Sequence, residues 1–292
     1  KREGVRSIME IKKVGVVGCG IMGSGIAQVC AQSGYQVVAS EINNELLNKG
    51  LASINSFLTK GIERGKITQQ QKDSTLARIK GTTTTKDFSD CDLVVEAATE
   101  DMDLKKKIFA EVDKICPKHA ILATNTSCLS VIDIAAETTR LDKVLGMHFS
   151  NPVPIMRGLE IIKTIATSDE AIETAKEFGK SLGKIVWVSQ DTPGFLTSRL
   201  GVVQGFEAIR MLEAGIATAE DIDTALKLTY NLPMGPLELT DLIGLDTRLH
   251  IAEAMYEVTK DPKFAPPTLL QKMVAARWLG RKTGKGFYDY NK

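Results

Sequence analysis

The chain has almost no net charge: 37 Lys and Arg stand against 36 Asp and Glu, a formal +1. That balance excludes the basic footprint of a nucleic-acid binder or of a protein held on an anionic membrane. Long hydrophobic runs are missing as well. No stretch approaches the ~18 apolar residues of a membrane span. Cysteine is sparse, and Cys19, Cys30, Cys91, Cys116 and Cys128 show no paired short spacing. An odd number without zinc-like or redox-like spacing reads as free thiols in a reducing compartment such as the cytoplasm, with no metal site. "KREGVRSI", ahead of the first methionine at Met9, has neither the apolar run of a secretory signal nor the length of a transit peptide. Histidine is scarcest of all, three in 292 residues, and His148 ends an apolar run shortly before Asn151 and Pro152.

What is present is ordinary globular composition, 43% hydrophobic, in a chain long enough for one large or two medium domains with their own cores. "KKVGVVGCGIMGSGIAQVCAQSGYQVVASE" opens the folded part. Residues 12–17 are β-branched and predict a buried strand. Gly18, Gly20 and Gly23 follow at G-x-G-x-x-G spacing, residues 21–33 favour a helix that Gly34 stops, and residues 35–39 predict a second strand ending near Glu41. The glycine triplet alone is a weak signal. A strand before it, a helix after it and an acid at the end of the next strand make it a dinucleotide site. Gly18 permits the tight turn, Gly20 lets a pyrophosphate approach the backbone, and Gly23 lets the helix pack on the strand. The phosphates would sit at the positive end of the helix, beside Ile21 and Met22. A carboxylate at Glu41 accepts ribose hydroxyls and repels a 2′-phosphate, and no arginine follows it. The expected cofactor is NAD.

Two helical stretches come next, over about 44–80. The first carries Leu47, Leu51, Ile54, Leu58 and Ile62 at helical period, and the second opens on the capping box "TQQQ" at 68–71. The pair is an arm inserted into a minimal dinucleotide fold. Lys60, Arg64 and Lys66 cluster near its turn, either as a solvated face or as a dock for an anionic ligand. Strand–helix alternation then resumes: strand 92–98, helix 102–116, strand 120–127, helix 130–137 and strand 143–149. Such alternation implies a Rossmann-type, doubly wound and mostly parallel α/β sheet, which binds ligands outside the carboxyl ends of its strands. Glu41, Glu100, Asn125, Ser127, His148 and Asn151 all fall at those ends. The segment from Phe149 to Gly158 is too short for a helical crossover, so the run holding Glu160 should pair antiparallel and return the carboxylate toward His148. A carboxylate inside "LEII" is costly to bury unpaired, and an imidazole partner would have its tautomer fixed and its basicity raised.

After helix 168–183 and strand 184–189, the breaker cluster "QDTPGF" predicts a boundary near Asp191. Residues 1–191 then form the cofactor domain and 192–292 a smaller all-α domain. Helices are predicted over 195–214, 219–229, 236–243, 246–260 and 268–279, with a strand at most over 286–290. Such an appendage commonly closes a cleft and forms a subunit contact.

Seven segments together resemble the L-3-hydroxyacyl-CoA dehydrogenases, closest to the bacterial 3-hydroxybutyryl-CoA dehydrogenases. They are "VGCGIMGSGIAQ", "VVEAATEDMDLKKKIF", "TNTSCLS", "GMHFSNPVPIMRGLE", "DTPGF", "PMGPLELTDLIGLD" and "GRKTGKGFYDY". The resemblance runs from Lys12 to Tyr290. It implies NAD-dependent oxidation of an L-3-hydroxyacyl-CoA, and the reverse reduction, in a homodimer. His148 would be the base, Glu160 its partner, and Ser127 a hydroxyl bonded to the reacting oxygen. It implies Glu100, Lys105, Asn151 and Lys282 as cofactor contacts, and gives the arm, with Lys60 and Arg64, the role of a coenzyme A dock. The family's usual asparagine after "PGF", which helps hold the substrate, is Ser198 here. Ser150 and Cys128 also depart from the usual "HFFNP" and "NTSSLS". Two other readings stay open in the sequence: a different hydroxy substrate (a dicarboxylyl-CoA, a sugar acid or a carnitine-like alcohol), and a non-catalytic NAD-binding protein.

Overall fold

In the computed structural model, residues 8–291 are described, so all but the last residue of the leading "KREGVRSI" lies outside the described residues. The chain divides into two compact units at Asp191 and Thr192.

The first unit is an eight-stranded sheet: β1 (Lys13–Val17), β2 (Gln36–Ser40), β3 (Ile79–Thr82), β4 (Leu93–Glu96), β5 (Ile121–Thr124), β6 (Val144–Phe149), β7 (Gly158–Lys163) and β8 (Ile185–Gln190). Their order is β3-β2-β1-β4-β5-β6-β7-β8. The first six are parallel, β7 runs antiparallel to β6, and β8 runs parallel to β7. The order reverses between β1 and β4, which puts the switch point beside the glycine turn. Central strands are buried along their whole length, as expected of parallel strands covered on both faces. Val14, Val16, Val95, Ile121, Leu145 and Ile161 form the middle of this core.

Helices α1 (Ile21–Gln32), α2 (Asn44–Glu63), α3 (Gln69–Ala77), α4 (Met102–Ile115), α5 (Val131–Ala135) and α6 (Asp169–Ser181) complete the unit. In α2, Leu47, Gly50, Ile54 and Leu58 are the buried stripe. The capping box forms as the spacing predicts: the Gln71 N–H donates to Thr68 Oγ1 (3.2 Å) and the Thr68 N–H to Gln71 Oε1 (2.8 Å). One strand differs from expectation. Residues 79–82 form the edge strand β3, where the sequence pattern extended a helix to Ile79 and then lapsed. An edge strand of four residues with one exposed lysine and one glycine carries little apolar alternation. Gly81 packs close under α2: an added Cβ would lie 3.0 Å from the Leu51 side chain.

The second unit is helical, with α7 (Thr197–Glu213), α8 (Ala219–Tyr230), α9 (Pro236–Ile243), α10 (Leu245–Thr259) and α11 (Thr268–Ala275) around Val202, Phe206, Leu237, Met255 and Phe264. The strand expected at most over 286–290 is not formed; only isolated bridges involve Gly280, Lys285 and Asp289. Two buried aspartates bind that tail instead. Asp241 accepts the N–H groups of Phe287 (2.9 Å) and Tyr288 (3.0 Å) and the Tyr290 hydroxyl. Asp223 accepts the N–H groups of Leu237 and Glu238 and the Tyr288 hydroxyl. Among the described residues no helix is long and apolar enough to cross a membrane.

Candidate active site

The glycine turn has the shape its spacing requires. Gly18 has φ +87°, and a Cβ there would lie 2.8 Å from the Ala97 carbonyl oxygen. A Cβ on Gly23 would come within 1.7 Å of the Gly18 carbonyl oxygen, so helix and strand touch only because the residue is glycine. At Gly20 an added Cβ meets nothing within 4 Å, which leaves open space over the start of α1, next to exposed Ile21 and half-buried Met22. The three positions thus do three different things, and the residues fit a dinucleotide. A cleft of about 590 Å³ begins here, lined by Gly18, Gly20, Glu41, Ile42, Thr99 and Leu104 among others. Glu41 leans over the turn. It accepts the Cys19 N–H on Oε1 (2.8 Å) and the Ile42 N–H on Oε2 (3.0 Å).

At the ends of β4 and β5 lies a buried charge network. Lys105 of α4 is 1% exposed, and its ammonium donates to both Glu96 oxygens, at 2.8 and 3.0 Å. Thr124 donates to Glu96 Oε2 (2.7 Å), and the Lys105 ammonium also stands 3.4 Å from Glu100 Oε2. Glu100 then reaches across to the loop after β5, where its Oε1 accepts the Thr126 hydroxyl (2.5 Å) and the Ser127 N–H (2.8 Å). Lys105 is therefore buried against Glu96 and Glu100 at the strand ends. Asn125 is nearly buried, and its Oδ1 accepts the Phe149 N–H (2.9 Å), which ties the end of β5 to the end of β6.

His148 and Glu160 are register partners across β6 and β7. Antiparallel partners share a face of the sheet, and His148 Nδ1 stands 3.5 Å from Glu160 Oε2. The carboxylate is 1% exposed and the imidazole 16%. Nδ1 is turned to the carboxylate, and the two ring nitrogens of an imidazole have distinct roles. The other carboxylate oxygen, Oε1, accepts a hydrogen bond from the Ser189 hydroxyl of β8 at 2.7 Å. Asn151 is exposed in the turn after β6. The segment behind it is held by Lys184, whose buried ammonium donates to the carbonyls of Val153 (2.5 Å) and Met156 (2.7 Å). Burial draws the Lys184 ammonium below its ordinary range.

Lys60 and Arg64 are exposed in the last turn and at the C-cap of α2, where cations complement the helix dipole. Among the described residues neither has an ion pair. In the helical unit, Ser198 is half-buried in the first turn of α7, and Lys282 pairs with Asp246 at 2.5 and 2.6 Å. Sequence reasoning missed Glu96 and Ser189. Glu96 had a signal, an acid inside the apolar run "DLVVEAA" of the same kind as Glu160 in "LEII". Ser189 had none, as the last residue of the run "KIVWVS".

The model for the 3-hydroxyacyl-CoA dehydrogenase NAD binding domain matches residues 13–192, and that for the 3-hydroxyacyl-CoA dehydrogenase C-terminal domain matches 194–290. A 3-hydroxybutyryl-CoA dehydrogenase of Bradyrhizobium diazoefficiens is 45% identical over 280 residues, 96% of each chain. The mitochondrial hydroxyacyl-coenzyme A dehydrogenase of Sus scrofa is 41% identical over 96% of this chain and 91% of its own. The crystal structure of FadB2 of M. tuberculosis superposes with a TM-score of 0.94 at 43% identity, covering 97% of this chain and all of that one. With both halves matched in order and relatives similar along nearly their whole length, the chain belongs to the 3-hydroxyacyl-CoA dehydrogenase family.

Proposed function

We propose that the protein oxidises L-3-hydroxyacyl-CoA, with 3-hydroxybutyryl-CoA as the substrate, to the 3-ketoacyl-CoA with NAD, and catalyses the reverse reduction of acetoacetyl-CoA. The observation that carries this reading is the buried Glu160 carboxylate set directly opposite His148, one strand from the loop that bears Ser127. When bound, NAD supplies the hydride acceptor; the protein supplies orientation and electrostatics. In oxidation Nε2 of His148 takes the 3-hydroxyl proton and Glu160 stabilises the imidazolium so formed. The Ser127 hydroxyl donates to the reacting oxygen, and Glu100 fixes the backbone from which that hydroxyl projects. In reduction His148 returns the proton to the forming alkoxide.

Glu41 receives the adenosine ribose, and the α1 N-terminus with Gly20, Ile21 and Met22 receives the pyrophosphate. Glu100, Asn125, Asn151 and Lys282 complete the cofactor contacts, with Lys105 acting from beneath. Lys60 and Arg64 dock the coenzyme A phosphates, and Ser198 takes the substrate-holding role of the family's asparagine. The enzyme is a homodimer through residues 192–292 and works in the cytoplasm, in keeping with five free, buried cysteines. The test is NADH consumption with acetoacetyl-CoA beside NADPH and a panel of other keto compounds, with oligomeric state read by light scattering. NADH-dependent turnover of acetoacetyl-CoA well above every non-CoA ketone is expected. Turnover of free keto acids alone would remove the reading.

A further inference from the structure

We infer that Ser189 is a positioning residue for the His148–Glu160 pair: its hydroxyl anchors the Glu160 carboxylate and thereby sets both the aim and the basicity of the imidazole. The inference rests on the proposed reading of His148 as the base.

Glu160 is 1% exposed, and a buried carboxylate needs donors. Its two oxygens are divided between two neighbouring strands. Oε2 faces Nδ1 of His148 on β6, and Oε1 accepts from Ser189 on β8. On β8, Trp187 is the register partner of Glu160 and Ser189 that of Ile162. Ser189 thus shares the face of Trp187 and reaches Glu160 diagonally from one step along the sheet. The donor stands on a strand, not a loop, so its position is as rigid as the sheet. An O–H to carboxylate bond is charge-assisted and roughly twice as strong as a neutral one. It does two things. It fixes the carboxylate plane so that Oε2 points at Nδ1, and it draws negative charge toward Oε1, away from the imidazole.

Several charged groups on the elements packed around β7 pair away from Glu160. Lys163 at the end of β7 pairs with Asp169 at 2.6 Å. Lys184 ahead of β8 binds the Val153 and Met156 carbonyls, and Asp191 beyond it accepts the Val131 and Ile132 N–H groups. The face of α6 toward the sheet is Ala171, Ile172, Ala175 and Phe178, while its Lys176 and Lys180 pair with Glu173 and Glu177.

Without the Ser189 hydroxyl, more of the carboxylate charge falls on Oε2. The imidazolium is then favoured, and neutral His148, the form that accepts a proton, is reached only at higher pH. The carboxylate also loses its anchor, so the ring is aimed less well.

The experiment compares wild type with Ser189→Ala and Ser189→Thr. Rates of 3-hydroxybutyryl-CoA oxidation are followed from pH 5 to 9, with the His148 ring titration followed by NMR without substrate. Ser189→Ala is expected to lower kcat about 10-fold with KM changed less than about threefold, as for a loss confined to the transition state. The acid limb of the profile and the ring titration should both move up by about half a pH unit. Ser189→Thr keeps the hydroxyl and should restore both. An unshifted titration in Ser189→Ala, a loss equal at every pH, or no rescue by threonine overturns the inference. Wild type that turns over no acyl-CoA sinks the proposed function instead, and the NMR titration still reports whether Ser189 tunes the ring.

Discussion

His148 and Glu160 stand opposite each other across β6 and β7, with Nδ1 3.5 Å from a carboxylate oxygen that is almost wholly buried. Because the pairing is a strand register, the relationship is set by backbone hydrogen bonds and survives side-chain replacement. His148→Ala and Glu160→Gln should each fold and bind NADH normally, yet lose roughly 10²–10⁴ in kcat, the range of general acid–base catalysis. NADH fluorescence titration beside steady-state rates checks this. Near wild-type turnover by either variant would mean that the pair is structural.

The antiparallel turn was legible because it follows from chain length: the link between the two apolar runs is too short for a crossover. The glycine turn was legible because each glycine answers a separate steric demand, and the structure shows a Cβ colliding at Gly18 and Gly23 and meeting open space at Gly20. The strand β3 was not, since an edge strand need not be apolar on both faces. Nor was Ser189, because a hydroxyl at the end of a strand leaves no periodic trace, and its meaning comes only from the neighbouring strand. Lys105 entered from the sequence as a cofactor contact that the resemblance implies, and the structure buries it. Its burial depends on Glu96, an acid that reads as one odd letter in an apolar run. The tail "GKGFYDY" has strand-like residues, but Asp241 takes its N–H groups, so it needs no strand partner.

Glu41 should decide the cofactor. Its carboxylate overhangs the glycine turn on two backbone N–H bonds, where a 2′-phosphate would meet like charge. Wild type should show a higher kcat/KM with NADH than with NADPH. Glu41→Ala should narrow that ratio at least about tenfold, the scale of one lost charge-dependent contact, while kcat with NADH falls less. A preference unchanged in Glu41→Ala would place discrimination elsewhere in the cleft.

The five buried thiols make the fold sensitive to alkali. Burial pushes Cys30, Cys91 and Cys128 up to about 12, and Cys19 and Cys116 up to about 11, from an ordinary value of 9.0. Between pH 9 and those values the unfolded chain gives up thiol protons that the native chain keeps. The native state then binds more protons, so stability falls as pH rises, by about 1.4 kcal/mol per pH unit for each thiol. Urea unfolding under reducing conditions should show a steep loss between pH 9 and 11. Cys30→Ala should flatten the slope by about one thiol's share. An unfolding midpoint that does not move from pH 8 to 10.5 would refute the argument.

Arg248 carries the opposite expectation, that removing a charge stabilises the protein. Its side chain lies in the helical unit at 4% exposure, beside Gly201 and Gly205 of α7. Those glycines make room for it: a Cβ on Gly201 would stand 3.2 Å from Nη1, and one on Gly205 3.8 Å from Nε. The Nε has no hydrogen-bond partner, and among the described residues no carboxylate pairs with the guanidinium. Burial alone pulls the group well below the ordinary guanidinium range, to about 10. A base depressed in the folded state carries its penalty wherever it is still charged, so at neutral pH the fold bears the whole of it. That penalty is roughly 3 kcal/mol, relieved only as pH climbs above about 10. Arg248→Met fills a similar space without charge, and replacing buried charges by apolar residues of similar volume is often neutral or stabilising, by about 1–4 kcal/mol. Urea unfolding at pH 7 should therefore give Arg248→Met a higher midpoint with an unchanged slope against denaturant. A lower midpoint would show that the guanidinium has an anionic partner in the assembled protein, and a concentration-dependent midpoint for wild type alone would assign that partner to a second subunit.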